Sequence, residues 1–177
     1  MAVFKREPLH LALIPSKQPP EVRLRCSEQV WRTGVRVLHT RTRSRIESGA
    51  FLLGRDEGDV RVITEFLYYD DIDSHCFDRG IVEFNGRLLG KVWSYCRDNS
   101  LSVVADVHVH PFGFGQSLSD MHNPIIAKPG HIALILPNFA QGPCLPEGGV
   151  GIYEYLGNRR WATHTSVANF FEVTRDR

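Results

Sequence analysis

No stretch of this chain approaches the roughly 20 consecutive apolar residues of a bilayer-spanning helix, which argues against a helical membrane protein. Neither sign of charge is in excess. The 21 Lys and Arg meet 20 Asp and Glu, leaving a formal net charge of +1 and no overall drive toward nucleic acid or a membrane surface. Cys-x-x-Cys is missing. Cys26, Cys76, Cys96 and Cys144 stand far apart, which excludes a zinc knuckle and fits reduced packing thiols in a cytoplasmic protein. Lys5 and Arg6 precede Leu9 to Ile14, but that apolar stretch is short and ends in Pro15 with no small-residue cleavage site, so it reads as a strand. Internal repeats and low-complexity tracts are absent as well. What is present is 177 residues with 42% hydrophobic content, enough for one globular domain with a real core.

Periodicity assigns the elements. Residues 9–14 and 21–25 read as strands joined by the Pro15–Pro20 connection. Ser27 is an N-cap for a helix to about Thr40, with Val30, Val37 and Leu38 as its apolar positions. Residues 50–54 form a short buried strand, 56–59 a turn and 60–69 a second strand. An acidic loop follows over 70–78, then a short strand over 81–84. Asn85 opens a helix whose stripe is Leu88, Leu89, Val92, Trp93 and Cys96, stopped by Asp98 to Ser100. Residues 101–109 alternate as a strand, with Val103, Ala105, Val107 and Val109 on one face and Val104, Asp106, His108 and His110 on the other. A short helix starts near Ser119, a strand covers 131–136, and 150–156 with 159–165 make a closing hairpin. The expected organisation is an N-terminal extension over 1–26, a main domain over 27–165 and a tail over 166–177. The fold class is α/β, a mixed central sheet flanked by helices.

The arginines at 32, 36, 41, 43 and 45 read as a solvated helix face with a basic tail rather than an RNA contact. The second face of the 101–109 strand is more informative, because it turns polar toward its end. Residues two apart on a strand point the same way, so His108 and His110 aim two imidazoles at one point. Asp120, after a loop, returns a carboxylate. Two His and one carboxylate with one open position is a ligand set of catalytic zinc, and zinc brings the pKa of a water down to about 7. Such a water still needs a general base, and Glu47 ahead of the buried strand is the candidate. Ser117 is placed to donate a hydrogen bond to a developing oxyanion.

The run Glu47-Ser48-Gly49-Ala50-Phe51-Leu52-Leu53-Gly54 resembles the segment bearing the catalytic Glu in the JAMM (MPN+) zinc metalloprotease family. His108-Val109-His110-Pro111 with Ser117-Leu118-Ser119-Asp120 resembles that family's second motif, in the same order. The similarity spans about residues 45–155 and is greatest to the compact bacterial branch. It implies a single MPN (JAB) domain with cytidine-deaminase-like layering. His108, His110 and Asp120 would bind one Zn2+, Glu47 would be the general acid/base and Ser117 the oxyanion donor. The implied activity is hydrolysis of the bond after the C-terminal glycine of a ubiquitin-like modifier, by deconjugation or precursor processing. Implied partners are that modifier, its conjugates, and ubiquitin-activating-like and ubiquitin-conjugating-like enzymes of the same operon, some of which serve antiviral defence. Neither nucleic acid nor membrane is implied. Two departures stand out: the loop from His110 to Asp120 is one residue shorter than the common spacing, and Gly49 comes one position early, with Ala50 in its place.

Other residues have plainer readings. Asp106 is either a partner to the metal ligands or a buried, hydrogen-bonded strand residue. His122 reads as a surface or supporting residue and His131 as structural, while His75 and Cys76 stay outside the site. Phe112 and Phe114 either contact the substrate tail or pack their loop. Two other functions fit parts of the pattern. One is a non-catalytic MPN scaffold, which would typically lack part of the ligand set. The other is a zinc hydrolase acting on sulfur-carrier or small-molecule conjugates. A deaminase would want Pro-Cys-x-x-Cys after the His motif, and Pro143-Cys144-Leu145-Pro146-Glu147 is not that.

Overall fold

The computed structural model describes residues 22–142, 144–166 and 169–175; the strand expected at 9–14 lies outside them. One mixed eight-stranded sheet has the order β7-β6-β5-β4-β2-β3-β1-β8. Its strands are β1 (Leu24–Ser27), β2 (Ser48–Glu57), β3 (Val60–Tyr68), β4 (Ser102–Val109), β5 (Ile132–Leu136), β6 (Gly151–Gly157), β7 (Arg160–Thr163) and β8 (Phe171–Thr174). The helices are α1 (Glu28–Thr42), α2 (Tyr69–Ile72), α3 (Leu89–Asp98) and α4 (Leu118–His122). Among the described residues no helix is long and apolar enough to cross a membrane.

Strand alternation builds two cores. Ala50, Leu52, Ala105, Val107 and Val109 join Trp31, Val35 and Leu38 of α1 on one face. Phe51 and Leu53 join Val92 and Cys96 of α3 on the other. Ser27 caps α1 as expected, its Oγ accepting from the Val30 N–H at 3.3 Å. The buried stripe of α1, however, is Trp31, Gly34, Val35 and Leu38; Val30 and Val37 are only half-buried. A side chain at Gly34 would meet the Phe66 ring at 2.5 Å, so the glycine lets that ring lie against the helix.

Several other expectations are corrected. Residues 81–84 form no strand of the sheet, because the N–H groups of Val82 and Glu83 bond to Glu47 and Cys76 instead. The acidic loop begins with the short helix α2. Trp93 is 38% exposed, off the core stripe. Val103 packs on the α3 side and Val104 on the α1 side, the reverse of simple alternation. A register shift opposite Leu52 and Leu53 inserts Val104 as an extra residue, and a bulge of this kind changes the phase of the pleat. Residues 171–174, read as tail, form edge strand β8, parallel to β1.

Topology brings the loops to one end. β4 and β5 are parallel neighbours, so the chain must cross the sheet between them. Ile125 and Ile126 of this crossover pack on the α3 face. β2 runs antiparallel to β4, so its start lies beside the end of β4. Residues at the carboxyl ends of parallel strands commonly border ligands in such sheets.

All four cysteines are buried. Burial, with the carboxylates Asp70 and Asp73, pushes the Cys76 thiol from 9.0 up to about 12. The unfolded thiol ionises first, so this group's contribution to stability is full below pH 9.0 and lost as pH rises toward about 12. Native protein at pH 8 is expected to resist dithiobis-nitrobenzoate and to release its thiols only on unfolding; fast native labelling of Cys76 would contradict this packing. A second expectation concerns Gly49. A Cβ there would lie 2.3 Å from the Tyr69 ring and 2.9 Å from the Val107 carbonyl oxygen. Gly49→Ala is therefore expected to destabilise by about 1–3 kcal/mol in urea unfolding.

Candidate metal centre

β4 carries Asp106, His108 and His110 toward the α3 face. The ladder pairs Gly49 with His108 and Ser48 with Val109. Continued by one residue, it sets Glu47 opposite His110, and directly opposed residues share a face. The sheet therefore puts Glu47 beside both histidines. The crossover supplies Asp120, the third member of the candidate set. Ser117 caps α4 with its Oγ accepting from the Asp120 N–H at 3.2 Å, and its own N–H donates to Asp120 Oδ2 at 2.6 Å. This capping box aims the Asp120 carboxylate back at β4. It engages the Ser117 oxygen as acceptor and leaves the hydroxyl proton to donate elsewhere.

The three groups converge. His108 Nε2 and His110 Nε2 lie 2.9 Å apart, with Asp120 Oδ1 at 3.4 Å from the first and Oδ2 at 3.3 Å from the second. Tetrahedral zinc with bonds of about 2.0–2.1 Å spaces its ligand atoms by about 3.3–3.4 Å. The carboxylate–imidazole separations match that spacing, the two imidazole nitrogens stand closer than it, and the group could hold a metal. Burial alone would raise the Asp120 pKa, but hydrogen bonds from His108 and His110, the charge of His108 and the Ser117 N–H outweigh it and hold the carboxyl well below its usual range. Burial would likewise lower the His108 pKa; its contact with Asp120 and the charges of Asp106 and Glu47 raise it instead.

The backbone around the ligands is fixed. The His110 N–H donates to the Leu136 carbonyl at 2.9 Å, and its carbonyl accepts from Phe139 at 2.9 Å. Asn138, Phe139 and Ala140 are consecutive left-handed residues, with φ of 53°, 55° and 56°. Non-glycine residues persist there only where their surroundings dictate it. Here the Asn138 N–H donates to Phe112 O at 2.7 Å and the His39 imidazole bonds Phe139 O at 2.7 Å.

All five expected site residues lie at this end of the sheet. Glu47 is partly buried, and its Oε2 accepts from the Val82 N–H at 2.9 Å. Asp106 is a buried strand residue, accepting from Tyr69 Oη at 3.1 Å and from His131 Nε2 at 2.5 Å. His131, read from sequence as structural, borders the site through that bond. His122 and His75 are exposed, and Cys76 is core. Phe112 is 78% exposed, while Phe114 is half-buried and its carbonyl accepts from Tyr153 Oη at 3.0 Å. A cleft of about 490 Å³ adjoins the triad, bordered by Val82, Phe84, Asp106, His131, Ile126 and Trp161. The roles of Val82 and Tyr69 have no sequence signal, since one acts through its backbone and the other looks like a strand aromatic.

No family model matches the chain. Among solved structures it is similar to the solution structure of protein DSY2949 from Desulfitobacterium hafniense. The TM-score is 0.59 at 14% identity, covering 86% of this chain and 94% of that one. Likeness at that identity shows a shared fold and nothing finer.

Zinc titration of the metal-free chain is expected to saturate at one ion per chain by elemental analysis. At about 100 times Kd it should add about 2.7 kcal/mol of stability, raising Tm by roughly 5–10 °C. His108→Ala and Asp120→Ala should lose both effects; an unchanged zinc response in either would remove that residue from the ligand set.

Proposed function

We propose that this chain is a zinc-dependent isopeptidase or peptidase of the JAMM type, a single MPN domain that cuts after the C-terminal glycine of a ubiquitin-like modifier. The observation that carries the reading is the convergence of His108, His110 and Asp120 into a group that could hold a metal, with Glu47 one residue beyond the last pair of the β2–β4 ladder, at the His110 end. Zinc, when bound, supplies the Lewis acidity that makes a water nucleophilic near neutral pH. Glu47 Oε1, the oxygen not held by Val82, takes the proton of the attacking water and returns it to the departing amine. The Ser117 hydroxyl donates to the carbonyl oxygen as it gains charge, a contact worth about 3–4 kcal/mol in other hydrolases. The partners on this reading are the modifier, its conjugates and the activating-like and conjugating-like enzymes that would make them, in a bacterial cytoplasm and in some systems for defence against phage.

The cleft leaves room for one variant of this chemistry. A Gly-Gly tail is narrow, whereas about 490 Å³ beside the triad has room for a larger group. A sulfur-carrier or small-molecule conjugate would use that space.

With zinc, the chain is expected to cut a modifier–lysine conjugate ending in Gly-Gly. Glu47→Ala should lower the rate at least 100-fold with zinc still bound, and Ser117→Ala about 100-fold. Rates measured on purified conjugate by gel or mass spectrometry decide this. Cleavage that survives Glu47→Ala would exclude the base, and cleavage that survives a chelator would exclude the metal chemistry. A chain that cuts only the small-molecule conjugate would favour the variant, and one that binds zinc but cuts nothing would be a scaffold.

A further inference from the structure

Glu47 stands one residue ahead of β2, beyond the last pair of the ladder, yet it is held at two points. Its N–H donates to the Gly80 carbonyl at 3.0 Å, and its Oε2 accepts from the Val82 N–H at 2.9 Å. Both contacts come from the loop that leaves α2 at Asp73 and reaches Asn85. One side chain closes that loop. Asp73, only 7% exposed, accepts the His75 N–H on Oδ1 at 3.1 Å and the Asn85 N–H on Oδ2 at 2.9 Å. Inside the closure, Glu83 N–H donates to Cys76 O and Gly80 N–H to Phe77 O, each at 2.8 Å. Cys76 is buried, and Phe84 lies edge-on to Phe51 with centroids 5.2 Å apart. The proposed chemistry makes no use of Asp73.

We propose that Asp73 is a positioning residue: by closing the 73–85 loop it aims the Val82 N–H at Glu47 and so fixes the carboxylate that serves as general base. The role given to Glu47 rests on the isopeptidase reading above. A free glutamate side chain samples several rotamers. Fixing one carboxylate oxygen sets the direction of the other, and a displacement of about 1 Å at a reacting group can cost about 100-fold in rate. A single carboxylate at 73 serves two backbone donors. Asparagine has one acceptor oxygen, and its amide would meet the other N–H donor to donor. Asp73→Asn therefore opens one end of the loop at nearly constant volume.

The test combines amide exchange by NMR with zinc content and steady-state kinetics on the zinc-loaded chain. In Asp73→Asn, Val82 exchange should speed up markedly while the β4 amides stay protected and one zinc remains bound. The kcat should fall about 10- to 100-fold with KM within about twofold. Val82→Pro deletes the donor and leaves Asp73 in place. It should reproduce the loss of kcat while the His75 and Asn85 amides stay protected. Glu47→Ala should free the Val82 amide without disturbing the loop ends. Normal kcat in Val82→Pro, or Val82 equally protected with and without Glu47, overturns the proposal. Failure of the wild-type chain to cut any conjugate would instead overturn the isopeptidase reading. Val82 exchange in Glu47→Ala and Asp73→Asn would then still decide whether the loop holds Glu47.

Discussion

The pairing of β2 with β4 is the constraint on which the rest depends. With Gly49 opposite His108, Ala50 and Leu52 of β2 and Ala105, Val107 and Val109 of β4 face α1 in one apolar core. The intervening residues Phe51, Leu53, Asp106 and His108 face the α3 side, where the candidate site lies. A slip of one residue in β2 would turn Ala50 and Leu52 toward the α3 side and Phe51 and Leu53 toward α1, and would carry Glu47 off its place at the end of β4. The apolar residues on the α1 side, most of them without solvent exposure, thus fix the orientation of the polar ones on the other side. Gly49 is part of the same arrangement: its missing side chain makes room for Tyr69, which in turn bonds Asp106.

Asp120 shows a second economy. One carboxylate completes a helix cap and faces two imidazoles, so the hydrogen bonds that order α4 also orient the carboxylate of the candidate site. Its depressed pKa has the same origin, since the donors that hold it favour its ionised form. The short α4 could not persist on its own. Its cap, the packing of Ile125 and Ile126 and the bond from Trp161 to the Met121 carbonyl at 3.1 Å anchor it over β4.

Much of this was legible in the sequence because it follows from local periodicity. Alternation along 101–109 put Asp106, His108 and His110 on one face, and Ser27 marked the start of α1. The positions that escaped depend on partners distant in the chain. Residues 81–84 have strand composition, yet their N–H groups find Glu47 and Cys76 rather than a neighbouring strand. Trp93 has the right spacing for a core stripe, but α3 turns it outward. The reversal of Val103 and Val104 comes from a bulge that no pattern in β4 announces. Asp73 reads as one of several acidic loop residues. Its importance comes from two backbone groups, ten residues apart in sequence, that no side-chain pattern reveals.

The left-handed run Asn138–Ala140 ties the end of β4 to α1 through its backbone. On one side it holds the His110 and Phe112 carbonyls; on the other, its own Phe139 carbonyl is held by His39 from α1. A substitution at His39 would leave that carbonyl without its partner and the strained turn less well compensated. Sequence drift at His39 of α1, on the opposite side of the sheet from the candidate site, is thus limited by what the end of β4 can tolerate.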